Sequence, residues 1–555
     1  MKRLCGVFAL WGLIFTGGGL AALPFPLLFS RPAPVHAQKL VYPDHWLYDD
    51  LTALALEQGR VFFTGSALTA AQIELMLREF DEAALSPGGR ALYWRIRDYL
   101  SAPPWIAIQS DVFSIGMSPR LEPELYYKTN SALDWLYDRN QRRPFLSAPA
   151  SLSFAAYITM EADLYFGENR RLSEAHNNYC NFPFDTVIED IQPVDINMPK
   201  RAYLSAGFPI GEASGLNFRI GLGDEALERT RGGSVIFSNT MRALPYGSLT
   251  LYSPAIQYDA KAMELEVNKY LYLHQFRINL FNRLSLTLIE GVMVNAPFEL
   301  RYLNPIMIFH GFTGWIDYGR YNEQLGDTSL NPMDSRVGSL LGLAADVRPL
   351  KGLRLYGLFA MNEFQIPGFE EDAPPNALAF QLGAECSVPV SSGHWAFGME
   401  GVYTFPYMYV LGHKDWSYYR EYHEVNNPSI REWVGSPFGP DSAAALAWAD
   451  YHRMTKWKLG ASFLFAAQGE KSSAAIFSQE TEGYAPKKED ARLAAPSGLP
   501  VYTYQISLRF QWAPLDWLTA RLNPGYTVRA NHQHEAGHWE QGFEIAASFT
   551  LTPKP

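Results

Sequence analysis

The 555-residue sequence contains few cysteines and few charged residues. Cys5, Cys180 and Cys386 are too few for a disulfide framework. Cys180 and Cys386 can form one bridge or remain two buried thiols, and the sequence leaves both alternatives open. Charged residues make up 19% of the chain, and the net charge is −11 without any block of Lys or Arg. Because phosphate binding requires a basic surface, nucleic acid is not an expected partner.

Beyond the first 30 residues the sequence also lacks long apolar runs, and its mean hydropathy is −0.13. A membrane-spanning helix needs about 20 consecutive apolar residues, so these absences argue against a helical membrane protein. Aromatic residues, by contrast, reach 14%. Low charge with many aromatic residues favours a membrane β-barrel, in which only alternate strand residues must be apolar.

The N-terminus has the pattern of a secretory signal. Lys2 and Arg3 supply positive charge, residues 4–29 are largely apolar, and residues 35–37 (Val-His-Ala) offer a cleavage site. The apolar stretch is longer than the usual length of about 7–15 residues, so an uncleaved membrane anchor is the alternative. Because glycines and prolines interrupt the stretch, we predict a signal peptide at residues 1–37.

Residues 38–105 are predicted to form a small helical domain. Apolar residues recur there at helical spacing in three stretches. Thr69 and Gln72 have the spacing of a capping box, and Pro87 is typical of a first helical turn. Residues 103 and 104, both proline, should end the third helix.

From residue 106 onward the apolar period changes from 3.6 to 2, which indicates strands. Residues 152–166 give the clearest example and are interpreted as one spanning strand with its even-numbered residues on the apolar face. Short turns, as at residues 281–283, alternate with long polar connections such as residues 295–336 and 411–443. Short turns at one end and long loops at the other are typical of outer-membrane barrels.

A soluble β-sandwich also alternates apolar and polar residues, so the period alone leaves both folds open. The long strands, the loop lengths and the aromatic content favour a mainly β chain. We predict a large antiparallel transmembrane β-barrel of about 16–18 strands, preceded by a small α-helical domain. The three expected parts are a signal peptide (1–37), a periplasmic helical domain (38–105) and an outer-membrane β-barrel (106–555).

Several stretches, in this order, follow the pattern of one known family: residues 44–51 (DHWLYDDL), 216–221 (LNFRIG), 232–234 (GGS), 288–291 (LIEG) with 303–305 (LNP), 355–359 (LYGLF) and 436–441 (SPFGPD). Taken together they resemble the capsule-assembly (Wzi-type) outer-membrane family. The resemblance covers most of the chain after the signal peptide, and it depends on the order of the stretches. It implies a surface glycan-binding barrel whose helical domain faces the periplasm.

One long connection, residues 411–435, combines aromatic with charged and amide side chains. Aromatic faces can stack on the C–H surfaces of sugars, and nearby polar groups can hydrogen-bond sugar hydroxyls. The alternative is that Tyr and Trp at a barrel rim anchor the protein at the membrane interface. The candidate glycan-binding residues are Trp416, Tyr418, Tyr419, Tyr422 and Trp433.

A histidine-rich stretch lies between the last two predicted strands. Residues 534–538 (HEAGH) match the HExxH pattern of zinc proteases, but that pattern requires a helix, and Gly537 and the flanking strands argue against one. A simpler metal site would form if His532 and His534 share a strand face and His538 folds back toward them. The alternative is three imidazoles that contact water in a surface loop.

We therefore predict a non-enzymatic outer-membrane barrel that binds or organises surface (capsular-type) polysaccharide without a cofactor. Its expected partners are the polysaccharide, outer-membrane lipid and the barrel-insertion machinery. The alternative function is a porin or channel for small polar solutes, which differs in having an open lumen. A barrel enzyme is a third class, for which the sequence offers no convincing catalytic constellation.

Overall fold

The computed structural model describes residues 36–110, 112–134, 136, 142–166, 177–181, 201–238, 241–309, 318–326, 336–364, 376–390, 393–411, 415, 417–422, 430–453, 456–470 and 494–552. Residues 1–35, and with them most of the predicted signal peptide, lie outside the described residues. Among the described residues, no helix combines the length and apolarity needed to cross a membrane.

Three helices form near the start of the described chain: α1 (Trp46–Gln58), α2 (Ala70–Arg78) and α3 (Pro87–Ser101). The predicted capping box is present, because the Thr69 hydroxyl accepts from the Gln72 N–H (3.1 Å) and the Gln72 side chain accepts from the Thr69 N–H (2.8 Å). Ser86 caps α3 with Pro87 in its first turn. Residues 38–105 are called the helical unit below.

The helical unit has its own apolar core. Leu47, Leu51 and Leu54 of α1 pack with Ile73 of α2 and Ile96 of α3, and all five side chains are fully buried. These residues recur at helical spacing, so each helix presents one apolar face to the other two. Burial of these faces supplies most of the stability that such short helices lack in isolation.

The described strands are β1 Leu40–Val41, β2 Leu68–Thr69, β3 Ile106–Gln109, β4 Phe113–Met117, β5 Arg120–Leu121, β6 Glu124–Lys128, β7 Leu146–Phe154, β8 Ile158–Phe166, β9 Asn178–Cys180, β10 Ala202–Pro209, β11 Gly215–Gly223, β12 Leu244–Tyr252, β13 Ile256–Glu266, β14 Lys269–Leu280, β15 Leu284–Asn295, β16 Val337–Leu350, β17 Leu353–Glu363, β18 Ala377–Val390, β19 Gly393–Thr404, β20 Tyr419–Tyr422, β21 Ile430–Trp433, β22 Ser442–Arg453, β23 Trp457–Gln468, β24 Val501–Leu515, β25 Leu518–Ala530 and β26 Trp539–Leu551. One further helix, α4 (Gly319–Leu325), lies in the connection after β15. Single 3-10 turns occur at Glu82–Ala84, Leu300–Leu303 and His532–His534.

In the part of the chain that the structure describes, eighteen antiparallel strands close into a barrel. The strands from β10 to β19 and from β22 to β26 pair in chain order. The successive segments β4, β5 and β6 together occupy one wall position, pair with β26 on one side and with β7 on the other, and so close the ring. The count agrees with the predicted 16–18 strands.

Residues 152–166 form a hairpin, and their interpretation as one spanning strand is wrong. β7 ends at Phe154 and β8 begins at Ile158, because Ala155 and Ala156 adopt left-handed conformations (φ 47° and 60°) that turn the chain. Phe154 pairs with Ile158, so the even-numbered residues stay on the same face across the turn. The apolar period therefore continues through the turn, and the periodicity of the sequence does not reveal the hairpin.

The side chains of this hairpin show which face of the wall is lipid-facing. Leu152 and Met160 are 41% and 44% exposed on the outer face. Ser153 and Thr159 are buried on the inner face, where their hydroxyls lie 3.0 Å apart. Apolar residues outside and polar residues inside are the pattern of a membrane barrel and the reverse of a sandwich core.

Most short turns lie at one end of the barrel and the long connections leave the other, as predicted; the two-residue turn 267–268 is an exception. Residues 253–255, 281–283 and 351–352 make tight turns at one end, called the short-turn end. The long connections, including residues 296–336 and 405–441, leave the other end, called the long-loop end. Cys180 and Cys386 are separate thiols.

Candidate functional site

The connection between β11 and β12 folds into the barrel interior. Residues 224–243 are called the inner segment. Its Glu225 forms an ion pair with Lys261 of β13, and the two side chains are only 1% and 3% exposed. Its Arg231 reaches Asp450 of β22 (2.9 Å). Because β13 and β22 stand several strands apart in the ring, the inner segment crosses the lumen rather than following one wall.

The second half of the inner segment is apolar and packed. Val235, Ile236 and Phe237 are fully buried within a cluster that includes inward-facing residues of many wall strands. The Val235 N–H donates to the Gln381 side chain of β18 (3.1 Å), and the Val235 carbonyl accepts from the Tyr409 hydroxyl (2.6 Å). Close-packed side chains, and not only water, therefore fill this part of the lumen.

The helical unit closes the short-turn end beneath the inner segment. The Gly352 N–H, in the turn between β16 and β17, donates to the Leu56 carbonyl of α1 (2.6 Å). Asp49 of α1 pairs with Arg229 of the inner segment (2.7 Å) and lies 3.6 Å from Lys458 of β23. Burial disfavours the charged carboxylate, but Lys458 and Arg229 outweigh this effect and hold the pKa of Asp49 well below its usual range. The helical unit and the inner segment thus form one continuous filling.

A small cavity of about 50 Å³ remains where α1, the inner segment and the barrel wall meet. Charged groups of both signs line it: Asp49, Arg229, Arg231, Arg354, Glu385 and Asp450. A cavity of this size accommodates a few water molecules. These charges form ion pairs between the filling and the barrel wall. The arrangement therefore joins the filling to the wall and does not form a sugar site.

Asp50 of α1 makes the stability of the helical unit depend on pH. The carboxylate is fully buried, and burial raises its pKa to about 6 although Arg95 lies 3.1 Å away. The folded protein therefore binds this proton more readily than the unfolded chain, so the contribution favours folding in acid and is lost as the pH rises through 6. Relative to Asp50→Asn, we expect the wild type to gain about 1 kcal/mol when the pH is lowered from 7.5 to 5.

Urea titration followed by the helical circular-dichroism signal measures this difference, and comparison with Asp50→Asn cancels the titration of all other groups. An identical pH dependence in both proteins would contradict the prediction.

The predicted glycan-binding aromatics lie in the connection 405–441, where β20 and β21 form a hairpin at the long-loop end. Tyr418, Tyr419 and Trp433 are 0%, 3% and 9% exposed. Lys269 at the start of β14 places its ammonium 3.9 Å from the centre of the Tyr419 ring. In this structure the three rings pack inside the molecule, and their role in glycan binding stays a prediction.

Trp416 lies outside the described residues, and the side chain of Tyr422 is also not among those described. The more accessible groups of the same hairpin are charged. Glu421 and Arg431 pair across the strands (3.2 Å) with 22% and 37% of their side chains exposed. These groups can hydrogen-bond a hydroxylated ligand, the role that the sequence analysis expects of the polar side chains in this connection.

The histidines of the β25–β26 connection also lie at the long-loop end. The expectation that His532 and His534 share a strand face is wrong, because β25 ends at Ala530 and the residues that follow form a turn with several left-handed conformations. The rings of His532 and His538 meet edge to face, with centres 5.3 Å apart and an angle of 79° between the rings, whereas His534 contacts the Leu499 carbonyl (2.7 Å). Among the described residues, no group of three His, Cys, Asp or Glu side chains is arranged to hold a metal ion.

Sequence reasoning missed the inner segment. The only local signal for it is the run Val235-Ile236-Phe237 within a connection between two strands. Connections on a protein surface are normally polar, so a buried apolar run there indicates a segment that packs against a core. The wall partners of the inner segment are distant in sequence and carry no motif.

The fold and this filled interior define a class of protein: a closed eighteen-strand barrel of the outer-membrane type whose lumen holds a helical unit and an inner segment. The structure is similar to that of Wzi, an outer membrane protein involved in group 1 capsule assembly in Escherichia coli and described as a carbohydrate-binding β-barrel, with a TM-score of 0.56 and 15% identity. The similarity covers 93% of this chain and 100% of Wzi, and it confirms the resemblance and the fold class predicted from the sequence.

Two further solved structures are more distant matches. OprD of Pseudomonas aeruginosa has a TM-score of 0.36 and 11% identity over 80% of this chain and 96% of its own. The outer membrane channel DcaP of Acinetobacter baumannii has a TM-score of 0.35 and 10% identity over 81% of this chain and 100% of its own. No family model and no curated protein sequence matches the chain.

Proposed function

We propose that this protein is a non-enzymatic outer-membrane barrel that binds or organises surface polysaccharide at its long-loop end. The observation that carries the proposal is the inner segment, which crosses the lumen through buried contacts to β13, β18 and β22. A filled lumen does not favour solute passage, so the surface at the long-loop end becomes the natural place for a ligand. The fold shared with a carbohydrate-binding barrel supports a glycan as that ligand.

The proposal includes an orientation. The helical unit packs against the short turns, as the contact between Gly352 and Leu56 illustrates. Short turns face the periplasm in outer-membrane barrels, so the helical unit is proposed to lie in the periplasm and the long loops outside the cell. A cleaved signal peptide at residues 1–37, insertion by the barrel-insertion machinery and a surrounding bilayer belong to the same proposal.

The proposed glycan contact is the connection 405–441. Glu421 and Arg431 offer an acceptor and donors at its surface. Sugar recognition generally combines a few oriented polar groups with an aromatic or apolar surface. The predicted residues Trp416 and Tyr422 belong to the same stretch of sequence.

Planar-bilayer recording of the purified, refolded protein tests the filled lumen. We expect demonstrably inserted protein to remain silent, because the inner segment and the helical unit occupy the lumen. Steady ohmic steps would contradict the proposal and favour the porin alternative.

Binding to capsular-type polysaccharides on a glycan array tests the ligand. We expect Arg431→Ala to weaken binding, since a hydrogen bond involving a charged group contributes about 1.5–3 kcal/mol. Arg90→Ala is the matched control, because Arg90 is an exposed arginine on α3 in the helical unit, away from the long-loop end. Equal loss of binding in both variants, or none in either, would argue against the connection 405–441 as the contact surface.

A further inference from the structure

Part of the outer face of the barrel wall, at β14 and β15, is covered by another segment of the protein. Even-numbered residues of these strands point outward, as the exposed Phe276 and Leu288 show (43% and 47%). Tyr272 and Val292 also point outward, yet they are only 1% and 0% exposed. The segment that covers them is the start of the connection after β15, residues 296–309, which we call the outer strap.

Specific contacts hold the outer strap against the wall. The Glu299 N–H donates to the Tyr272 hydroxyl (3.2 Å), and the Tyr258 hydroxyl of β13 donates to the Pro305 carbonyl (2.8 Å). These contacts satisfy hydroxyl groups that would otherwise point from the wall into the bilayer.

The outer strap reaches the depth of the bilayer interior. The ring of Phe309 stacks on the imidazole of His274, with centres 4.3 Å apart and an angle of 27° between the rings. His274 is the sixth of the twelve residues of β14. A spanning strand has about 9–11 residues, so His274 lies near the middle of the membrane-crossing part of the wall. The strap therefore shields an imidazole that would be costly to expose to lipid.

The outward surface of the strap is mainly apolar. Its large exposed apolar side chains are Phe298 (48%), Leu300 (76%), Leu303 (44%), Ile306 (59%) and Ile308 (62%). Arg301 is also exposed and pairs with Glu299, and a long arginine side chain can extend its charge to the polar interface. Its backbone is partly satisfied from within, because the Asn304 N–H donates to the Arg301 carbonyl (3.3 Å) and the Met307 N–H to the Asn304 carbonyl (3.1 Å). Irregular backbone is tolerated at membrane depth where it packs against protein, and the inner side of the strap packs on Tyr272 and Val292 of the wall.

We propose that the outer strap inserts into the hydrocarbon layer of the membrane and presents these five side chains to lipid acyl chains. The strap then covers the outward-facing Tyr258, Tyr272 and His274 with a surface made mainly of alkyl and phenyl groups. Its apolar residues continue the lipid-facing band of the neighbouring strands, in which Leu286, Leu288 and Leu343 are exposed. This continuity identifies bilayer hydrocarbon as the partner. The start of the connection after β15 is thus a membrane-contact element and does not belong to the ligand-binding surface.

Site-directed fluorescence quenching tests the proposal. An environment-sensitive NBD label is attached to Ile308→Cys in a full-length background with Cys5, Cys180 and Cys386 replaced by Ser. The protein is inserted into phosphatidylcholine vesicles that contain lipids spin-labelled along the acyl chain. Leu343→Cys on the outer face of β16 is the lipid-exposed control, and Glu535→Cys, whose native side chain is 68% exposed in the β25–β26 connection, is the water-exposed control.

We expect the label at residue 308 to lose most of its fluorescence, as the label at residue 343 does, while the label at residue 535 keeps most of it. Quenching at 308 equal to that at 535 would overturn the proposal, because the strap would then lie in water. Weak quenching at 308 together with disulfide cross-linking of two Ile306→Cys chains would also overturn it, because a second copy would then cover the strap. Heat-modifiable gel mobility verifies that each variant is a folded barrel.

Discussion

Lys261→Met is expected to destabilise the folded barrel by about 3–5 kcal/mol, because it leaves the Glu225 carboxylate buried without its cation. Both side chains of this pair are almost completely inaccessible, and the pair ties the start of the inner segment to β13. The lost attraction cannot be replaced by water at this position. Urea unfolding in detergent micelles, followed by tryptophan fluorescence, measures the change.

The control is the double variant Lys261→Met/Glu225→Met, which removes both charges and keeps similar side-chain volumes. Replacing a buried ion pair by apolar residues is often neutral or stabilising, so we expect the double variant to recover most of the lost stability. A double variant as unstable as the single one would show that the defect comes from packing and not from an unpaired charge. A single variant as stable as the wild type would show that the pair is not buried as described.

Local patterns in the sequence were sufficient to predict the helical unit and the barrel. The capping box at Thr69 and Gln72 formed as expected because it involves two residues of one helical turn. Strand alternation is likewise local, since each residue's face follows from its neighbours. The same locality explains the error at residues 152–166: the turn at Ala155 and Ala156 preserves the alternation, so periodicity could not reveal it.

The filled lumen could not be predicted in this way because its contacts join distant parts of the chain. Arg231 and Asp450 are separated by 219 residues, and Asp49 and Arg229 by 180. Nothing in the local sequence distinguishes these pairs from solvated surface charges. The outer strap escaped prediction for a similar reason, since an apolar residue such as Leu300 in a long connection does not show which surface it will contact.

The aromatic residues of the connection 405–441 show the same limit. Tyr418 and Trp433 have the composition expected of a sugar platform, but composition does not specify exposure, and both rings are buried in the structure. The accessible charged pair between Glu421 and Arg431 depends on the pairing of β20 with β21. Which side chains of this region are buried depends on contacts between distant parts of the chain, such as the hydrogen bond from the Tyr418 hydroxyl to the Gly338 carbonyl.

Emptying the lumen is expected to convert a silent barrel into a conducting one, and the register of the wall allows a clean variant. Gly223 at the end of β11 and Leu244 at the start of β12 are direct cross-strand partners. A two-residue Asn-Gly turn can therefore replace residues 224–243 and join the two strands as a tight hairpin. In the full chain we expect this variant to remain silent, because the helical unit still occupies the short-turn end through contacts such as Gly352 with Leu56.

Combined with deletion of residues 38–104, the same replacement should produce stable conductance steps, since both parts of the filling are then gone. The deletion alone should stay silent because the inner segment, anchored by Glu225 and Arg231, still crosses the lumen. These three variants distinguish a lumen that two parts block independently from a lumen that needs both parts for the block. In the second case, either change alone would open the barrel. A double variant that is folded, inserted and silent would place the block elsewhere and remove the inner segment from the argument for a surface-binding barrel.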